Sequence, residues 1–386
     1  MALSINQTPA HVSLAQSPIV FSVYEDSAIV VNSGFQYVAG LYYWTGSLSD
    51  SGSTPDYTLV KYPNNSLYGI FDASRIINAT LTNLAIANPS NVEYLAIDFW
   101  TQWLSGSVYV TGSHIKSDVY KALDGYGIFQ EQIGVEVYNT SQHWPLMTDG
   151  PVTQSFLDSN YGTAGVYVGD AGSNIPNRLV YSGSFGNGQI VLSGSLSSSQ
   201  QVQQYPIGPL QAGFPLSTAS TYYTIQAHFN NTPLGLPIKY ELACQQKYPN
   251  VRLQWKNRFG QFDWFNFYMI NRQSFQTETR TYQPQLGTWE APTLSYNRYD
   301  SSTLNYIADS KQAVSVNSFW IPETYNEILK QLLVSDEIYW VYDEANNYVR
   351  PVTITTQNIV FKTGVNDHLI QYQFDFNYGQ AYKLII

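Results

Sequence analysis

The feature that most constrains the fold of this chain is a two-residue alternation of apolar and polar side chains. From Ile370 to Phe376 every second residue is Ile, Tyr or Phe, and the residues between them are Gln or Asp. Successive side chains of a β-strand point to opposite faces, so this period predicts a strand with one buried face. The same alternation recurs between Val251 and Trp255. We therefore expect β-strands to dominate the fold.

The composition supports this expectation. The 386 residues include 32 Tyr, 18 Phe and 9 Trp, whereas charged residues make up only 12% of the chain, against a usual share of roughly 25%. Aromatic side chains fit the half-buried surface of a sheet. The surface has to be built largely from neutral polar residues, which lose less hydration free energy than ions on burial. Such a surface suits permanent contacts between proteins.

The formal net charge of −10 argues against nucleic acid as a partner, because the phosphate backbone would be repelled. One basic segment, Lys247–Arg258, carries four positive charges interleaved with aromatic residues. The alternation within it predicts a strand with a basic outer face rather than a nucleic-acid site.

Cys244 is the only cysteine, so no intramolecular disulfide and no multi-cysteine metal site is expected. The first nine residues have no basic segment, and the apolar stretch Ile19–Val23 is too short for a signal peptide or a membrane span. We therefore expect synthesis in the cytoplasm and no membrane partner.

Three domains are predicted in chain order. Residues 1–115 read as a β domain with one short helix, in which Ile77, Leu81 and Leu84 recur at helical spacing. Residues 116–285 form a central, loop-rich β domain, whose glycine-rich stretches Gly162–Gly172 and Gly183–Gly194 are predicted as loops or hairpin tips. Residues 286–386 form a helix-on-sheet domain.

Two local motifs are the clearest. Residues 248–268 predict a hairpin that turns at Asn257–Gly260. A helix is predicted to begin at Pro322, with Glu323 in its first turn. Its apolar stripe comprises Tyr325, Ile328, Leu329, Leu332 and Leu333. The strands predicted to receive it are Ile338–Tyr342, Tyr348–Thr355, Ile359–Lys362 and His368–Tyr378. The predicted fold class is mainly β, with β-sandwich-like domains, two short α-helices and an α+β C-terminal module.

No motif of an enzyme is present: the chain lacks a Gly-x-Ser-x-Gly elbow, a phosphate-binding glycine loop and a His-Glu-x-x-His pair. Its five histidines are widely separated. Asp149, Asp158 and Asp170 are the candidates for a pair of catalytic carboxylates, but aspartate beside glycine is typical of turns. The sequence predicts no enzyme, no catalytic residue, no cofactor and no metal.

Tryptophan side chains are the remaining candidates for a binding site. Trp144, Trp255, Trp264 and Trp289 are the candidate contacts for a partner protein or for a host-surface glycan, since aromatic rings are enriched in interfaces and stack on sugar rings. The alternative for each of them is a place in the core.

Three stretches of the chain resemble structural proteins of tailed-bacteriophage virions. They are Ser13–Val23 leading to Gly69–Ile76, then Tyr248–Phe267, then Ser318–Glu323 leading to Arg350–Ile354. The resemblance rests on aromatic and turn residues, and it implies a virion role without catalytic residues.

We therefore expect a non-enzymatic structural component of a virion, in the tail or baseplate, assembled in the cytoplasm of the bacterial host. Its partners would be copies of itself and other virion proteins, as expected where symmetry repeats one charge-poor surface many times. The alternatives are a receptor-binding module that recognises a carbohydrate, and a protein that decorates the capsid.

Overall fold

The structure is a computed structural model, and most of its described elements are strands. The prediction of a mainly β fold is confirmed, and two α-helices are described. The structure describes residues 3–10, 12–25, 30–44, 52–81, 93–127, 152–155, 163–168, 178–183, 186–191, 202–206, 222–229, 231–243, 248–258, 262–288, 292–321, 323–343, 348–361 and 370–380.

Two sheets form the N-terminal part of the fold. The smaller sheet has the order β1-β3-β6, and the larger has the order β2-β9-β7-β4-β5, with β8 also paired to β7. The elements are β1 (Ser4–Gln7), β2 (Val12–Leu14), β3 (Val20–Tyr24), β4 (Gln36–Trp44), β5 (Tyr57–Lys61), β6 (Tyr68–Asp72), α1 (Ser74–Thr80), β7 (Glu93–Ser105), β8 (Val108–Lys116) and β9 (Tyr120–Leu123).

These two sheets share one hydrophobic core. The ring of Phe99 in the larger sheet lies 5.8 Å from that of Phe21 and 5.6 Å from that of Phe71, both in the smaller sheet. All three side chains are completely buried. Inward-facing rings from two sheets are the arrangement of a β-sandwich, which agrees with the predicted fold class of β-sandwich-like domains.

Tyr37 connects the core to a turn of the backbone. Its hydroxyl donates to the carbonyl oxygen of Leu67 (2.7 Å) and accepts from the amide of Glu25 (3.0 Å). Burial raises the pKa of Tyr37. A Cβ atom at Gly69 would lie only 2.7 Å from the Tyr37 ring, so glycine is required there for the ring to fit.

The predicted helix after β6 is confirmed as α1. The Asp72 carboxylate accepts hydrogen bonds from the amide of Ser74 (2.9 Å) and from the amide of Ile19 (3.1 Å). Ile77 is completely buried and Leu81 is buried, whereas Leu84 lies outside the described residues. The apolar spacing therefore identified the buried side of this helix correctly.

The central segment forms a five-stranded sheet of order β10-β16-β15-β12-β13 and a separate pair, β11-β14. At Gly162–Gly172 the prediction of a loop or hairpin tip is wrong for residues 163–168, which form a strand. At Gly183–Gly194 the prediction of a hairpin tip is confirmed, because Gly183 and Gly186 pair at the end of a hairpin whose second strand continues to Val191. The backbone hydrogen bonds between strands therefore form in these segments in spite of their glycine content. The strands are β10 (Val152–Ser155), β11 (Thr163–Val168), β12 (Arg178–Gly183), β13 (Gly186–Val191), β14 (Val202–Pro206), β15 (Tyr222–Phe229) and β16 (Thr232–Ala243).

A seven-stranded sheet follows, with the order β18-β17-β21-β22-β23-β20-β19. The predicted hairpin is confirmed as β17 and β18. The prediction of a strand at Ile359–Lys362 is wrong for residues 359–361, which have no regular structure. The last strand, predicted to start at His368, begins at Gln373, and an isolated bridge between Ile321 and Ile370 precedes it. The strands are β17 (Val251–Lys256), β18 (Phe262–Phe267), β19 (Arg272–Tyr282), β20 (Leu304–Asn317), β21 (Ile338–Asp343), β22 (Tyr348–Ile354) and β23 (Gln373–Tyr378).

The predicted C-terminal helix is confirmed as α2 (Asn326–Val334), which a 3-10 turn at Glu323–Tyr325 precedes. Four members of the predicted stripe are buried, and Leu333 is half-buried. The ring of Tyr325 lies edge-on to that of Phe265, 5.6 Å away. No described helix is long and apolar enough to cross a membrane.

The chain forms two compact units. The first comprises residues 1–245, 255–265 and 324–336, and the second comprises residues 246–254, 266–323 and 337–386. The division into consecutive domains at 1–115, 116–285 and 286–386 stays a prediction.

Candidate interaction surface

The most distinctive exposed feature is a long two-stranded ribbon formed by β19 and β20. The two strands pair from Arg272 opposite Ser315 to Tyr282 opposite Leu304. We call the described residues 272–288 and 292–312 the arm. They comprise β19, the first nine residues of β20 and the described part of the segment that connects the two strands.

Only the base of the arm has further support from the sheet. β23 pairs with β20 at Ala313–Asn317 and not beyond. Among the described residues, the remainder of the arm is therefore a ribbon of two strands. Such a ribbon is marginally stable by itself in water.

The arm exposes many large apolar side chains. Every residue of β19 is exposed, including Phe275, of which 53% is accessible. Tyr296 and Tyr299, in the segment connecting the strands, are 67% and 84% accessible. Large exposed apolar side chains concentrated in one segment are typical of surfaces that meet another molecule.

The two faces of the ribbon differ in charge. Alternation places Glu278 and Arg280 of β19 on the same face as Asp309 and Lys311 of β20, with Glu278 directly opposite Asp309. The other face is neutral. Its side chains in this part of the arm are Thr277, Thr279, Thr281, Ala308 and Ser310.

Sequence reasoning did not identify the arm. Its strands contain no run of apolar residues, so their alternation does not stand out as a buried face. A usable signal exists, because two runs rich in Thr, Ser and Gln flank a segment containing Pro284, Gly287 and Pro292, as in a hairpin with a long connection.

A second, buried site lies in the first unit. The Lys256 ammonium contacts the Asp124 carboxylate, and their side chains are only 3% and 5% accessible. Gln16 donates from Nε2 to Asp124 Oδ1 (3.3 Å), and Asp336 Oδ1 lies 3.9 Å from Lys256 Nζ. These residues border a cavity of about 100 Å³.

The chemistry of this site is that of a structural ion pair. The ammonium of Lys256 is engaged by a carboxylate, and a buried pair of this kind holds chain segments together rather than supplying a nucleophile. Nearby, the Arg258 amide donates to Gln331 Oε1 (3.0 Å), and the Tyr126 amide donates to the carbonyl oxygen of Arg258. Helix α2 and the segment after β9 are thus both bound to the end of β17.

Asp263, in β18, is a titratable group with a strongly perturbed pKa. Its Oδ2 atom is buried without a hydrogen-bond partner among the described residues. Burial raises the pKa of Asp263 to about 7, and a hydrogen bond from the Asn257 side chain opposes this shift.

The prediction of a basic outer face at Lys247–Arg258 is wrong for the described residues, which do not include Lys247. Arg252, Lys256 and Arg258 are all buried. Arg252 donates from Nε to Asn266 Oδ1 (2.8 Å), as Lys256 is bound by Asp124. Because polar partners come from distant parts of the chain, both sets of alternating side chains in β17 are withdrawn from water.

The outcome differs among the four candidate tryptophans. Trp255 is completely buried, so it is a core residue and cannot contact a partner or a glycan on the surface. Trp264 lies in β18. Trp144 and Trp289 lie outside the described residues, as do Asp149, Asp158 and Asp170.

An aromatic surface that the sequence did not indicate lies on β7 and β8. The ring of Trp100 stacks on His114 with centroids 5.6 Å apart, and His114 Nδ1 lies 3.5 Å from Asp98 Oδ2. Trp100 is half-buried. Its ring face is therefore already covered by a neighbour, which makes the arm the better candidate surface.

No protein-family model matches this sequence, and no curated protein is significantly similar to it. Within the described ranges, no group of three or more His, Cys, Asp or Glu side chains is placed to hold a metal ion.

Proposed function

We propose that this protein is a non-enzymatic structural component of a tailed-bacteriophage virion, in the tail or baseplate. It assembles in the host cytoplasm with copies of itself and with other virion proteins. The observation that carries this proposal is the arm, whose exposed residues form a ribbon with little support of its own.

Assembly explains why such a ribbon is retained. A two-stranded ribbon gains little from its own cross-strand pairs, whereas contact with another subunit buries its apolar side chains. One face of the paired strands carries only neutral side chains between Thr277 and Thr281, so burial of that face desolvates neutral groups alone.

The virion setting is supported by the resemblance of the stretches at 13–23, 69–76, 248–267, 318–323 and 350–354 to phage structural proteins. The net charge of −10 supports proteins rather than nucleic acid as partners.

A second candidate function, recognition of a host-surface carbohydrate, is favoured by the tip of the arm. There Tyr296 and Tyr299 are strongly exposed, and Tyr296 lies between the neutral residues Ser295 and Asn297. The Asp300 carboxylate accepts from the Asn297 amide (2.8 Å), which orders the loop. Exposed tyrosine with serine and asparagine is typical of binding loops.

Purified particles test the first proposal. Mass spectrometry of these particles is expected to find the chain in a fixed ratio to the other virion proteins. A variant in which Asn-Gly replaces residues 277–310, joining Gln276 to its neighbour Lys311, is expected to fold but to be missing from particles. Val108→Ser, which removes an exposed apolar side chain elsewhere, is the control. Absence of the wild-type chain from particles would overturn the proposal.

Cell-binding measurements separate the two candidates. Carbohydrate recognition predicts that Tyr299→Ala abolishes binding of the protein to host cells and leaves incorporation into particles unchanged. Tyr57→Ala, at an exposed tyrosine of β5, serves as the control. Loss of incorporation with unchanged cell binding would favour the assembly role.

A further inference from the structure

The outer edge of β19 is a strand edge that is open to pairing. β19 is the last strand of the seven-stranded sheet, and β20 alone pairs with it among the described residues. On its other side, the backbone N–H and C=O groups of every second residue of this eleven-residue strand face outward. Such an edge is a template for another strand.

The usual protection of strand edges is weak here. Within Arg272–Tyr282 there is no proline and no lysine, the two residues that most often block edge pairing. A single irregularity, between Arg280 and Thr281, interrupts the ladder to β20. A long edge of this kind in a stable protein requires an explanation.

We infer that β19 pairs antiparallel with β19 of a second copy of this chain, with Thr279 of both copies at the twofold axis. The two arms then form one four-stranded sheet in the order β20-β19-β19-β20. This inference deepens the proposed assembly function, on which it rests, by naming the partner and the contact. Antiparallel pairing of identical strands is the arrangement that twofold symmetry allows.

Charge complementarity sets this register. With Thr279 at the axis, Glu278 of each copy lies opposite Arg280 of the other, so that symmetry forms two ion pairs. Thr277 lies opposite Thr281 of the other copy, and the two Thr279 residues face each other. Opposite charges and paired threonines both stabilise neighbouring strands.

The same register relieves an unfavourable feature of the single chain. Glu278 lies directly opposite Asp309 of its own β20, and like charges at this distance destabilise a strand pair. Among the described residues, no ion pair involves Glu278 or Arg280. Pairing of two arms places Arg280 of the other copy beside Glu278, on the side away from Asp309.

The competing register is less favourable. With Phe275 at the axis, Arg272 would face Glu278 of the other copy, but Arg280 would lie opposite Ile270. That register also covers the base of the arm, which β23 already supports through β20. The Thr279 register instead adds strands where the ribbon has only two.

Charge exchange tests the pairing. In sedimentation experiments on the whole chain, Glu278→Arg and Arg280→Glu are each expected to weaken dimerisation by at least about tenfold, because each creates two like-charge contacts. The double variant is expected to recover the wild-type affinity to within about threefold. Lys311→Glu changes the charge by the same amount as Arg280→Glu, but on β20, and is the matched control.

Cysteine cross-linking tests the register independently. In a Cys244→Ser background, Thr279→Cys is expected to form a disulfide-linked dimer on oxidation, because opposite residues of an antiparallel pair lie about 4.5–5.5 Å apart at their Cα atoms. Thr277→Cys is expected to run as a monomer in non-reducing gel electrophoresis, because Thr277 lies opposite Thr281 of the other copy and not opposite itself. Cross-linking by Phe275→Cys instead of Thr279→Cys would overturn the inferred register.

The outcomes also separate this inference from the proposed function. A wild-type chain that is found in particles but shows no self-association would overturn the pairing of β19 and leave the virion role standing. A chain that dimerises with the expected charge dependence but is absent from particles would overturn the virion role alone. Circular dichroism confirms that each variant remains folded.

Discussion

β4 and β19 are both long strands with antiparallel neighbours, and they differ in burial and in the number of those neighbours. β4 pairs with β5 and β7, and its residues Gln36–Leu41 are all buried. β19 pairs with β20 alone among the described residues, and all of its residues are exposed. The backbone hydrogen bonds are of the same kind in both strands. The difference therefore lies in what the side chains contact.

This comparison shows how one chain uses strands for two purposes. The N-terminal sheets gain their stability from aromatic burial, since the rings of Phe21, Phe71 and Phe99 lie within 6 Å of one another in neighbouring pairs. The described part of the arm contains no buried aromatic ring comparable to these. Regions with few buried contacts open locally at a lower free energy than the core does, and they are free to complete their contacts with a partner.

The largest difference in the free energy of unfolding is expected when one phenylalanine in each region is replaced by alanine. Phe99→Ala is expected to lower the free energy of unfolding by about 3–5 kcal/mol, since the ring is completely buried. Phe275→Ala is expected to change it by less than about 0.5 kcal/mol, because the ring is exposed. Urea denaturation of the monomeric chain measures both values. Similar losses in the two variants would contradict the comparison.

Charged residues sharpen the comparison. Lys256→Met leaves the Asp124 carboxylate buried without its ammonium partner, and we expect the free energy of unfolding to fall by about 3 kcal/mol. The double variant Lys256→Met with Asp124→Leu should recover much of this loss. On the arm, Glu278→Gln is expected to change stability by less than about 0.5 kcal/mol. A large effect of Glu278→Gln in the monomer would show that the arm has a buried environment.

The pH dependence of stability is expected to come from the first unit rather than from the arm. The folded-state pKa of Asp263, about 7, lies above its ordinary value of 3.8, so the protonated carboxyl stabilises the folded state. This contribution is complete below about pH 4 and is lost as the pH rises to about 7. Asp263→Asn should flatten this decline and raise stability at alkaline pH by on the order of 2 kcal/mol. Thermal melts across this range would measure it; an unchanged profile would exclude Asp263 as its source.

The smallest expected contrast concerns tyrosine hydroxyls. Tyr37→Phe removes the hydrogen bonds to Leu67 and Glu25, and it should lower the free energy of unfolding by about 1 kcal/mol. Tyr306→Phe, at an exposed position of the arm, should leave it unchanged to within about 0.5 kcal/mol. Chemical denaturation of both variants provides the test. Equal effects would indicate that the hydroxyl of Tyr37 contributes nothing to the folded state.

The local patterns predicted much of the secondary structure. The alternation at Val251–Trp255 and the spacing from Tyr325 to Leu332 identified a hairpin and a helix that the structure contains. Both signals are regular spacings of apolar side chains within a single strand or helix. They can be recognised without knowing what the element contacts.

The candidate surface was not predictable in the same way. Nothing in the residues of β19 distinguishes a strand inside a polar sheet from one at its edge, because that difference depends on which strand lies beside it. The burial of Arg252 and Lys256 likewise depends on Asn266 and on Asp124, which is 132 positions away from Lys256 in the chain. Only the folded chain brings such partners together.

The sequence by itself determined that this protein is built mainly of strands and where several of them lie, because the period of apolar side chains is a local property. The tertiary structure alone decided which charges are buried, which glycine-rich stretches pair as strands, and which ribbon stays exposed. Those outcomes depend on pairing between distant segments, and that pairing leaves β4 inside a core and β19 at an open edge.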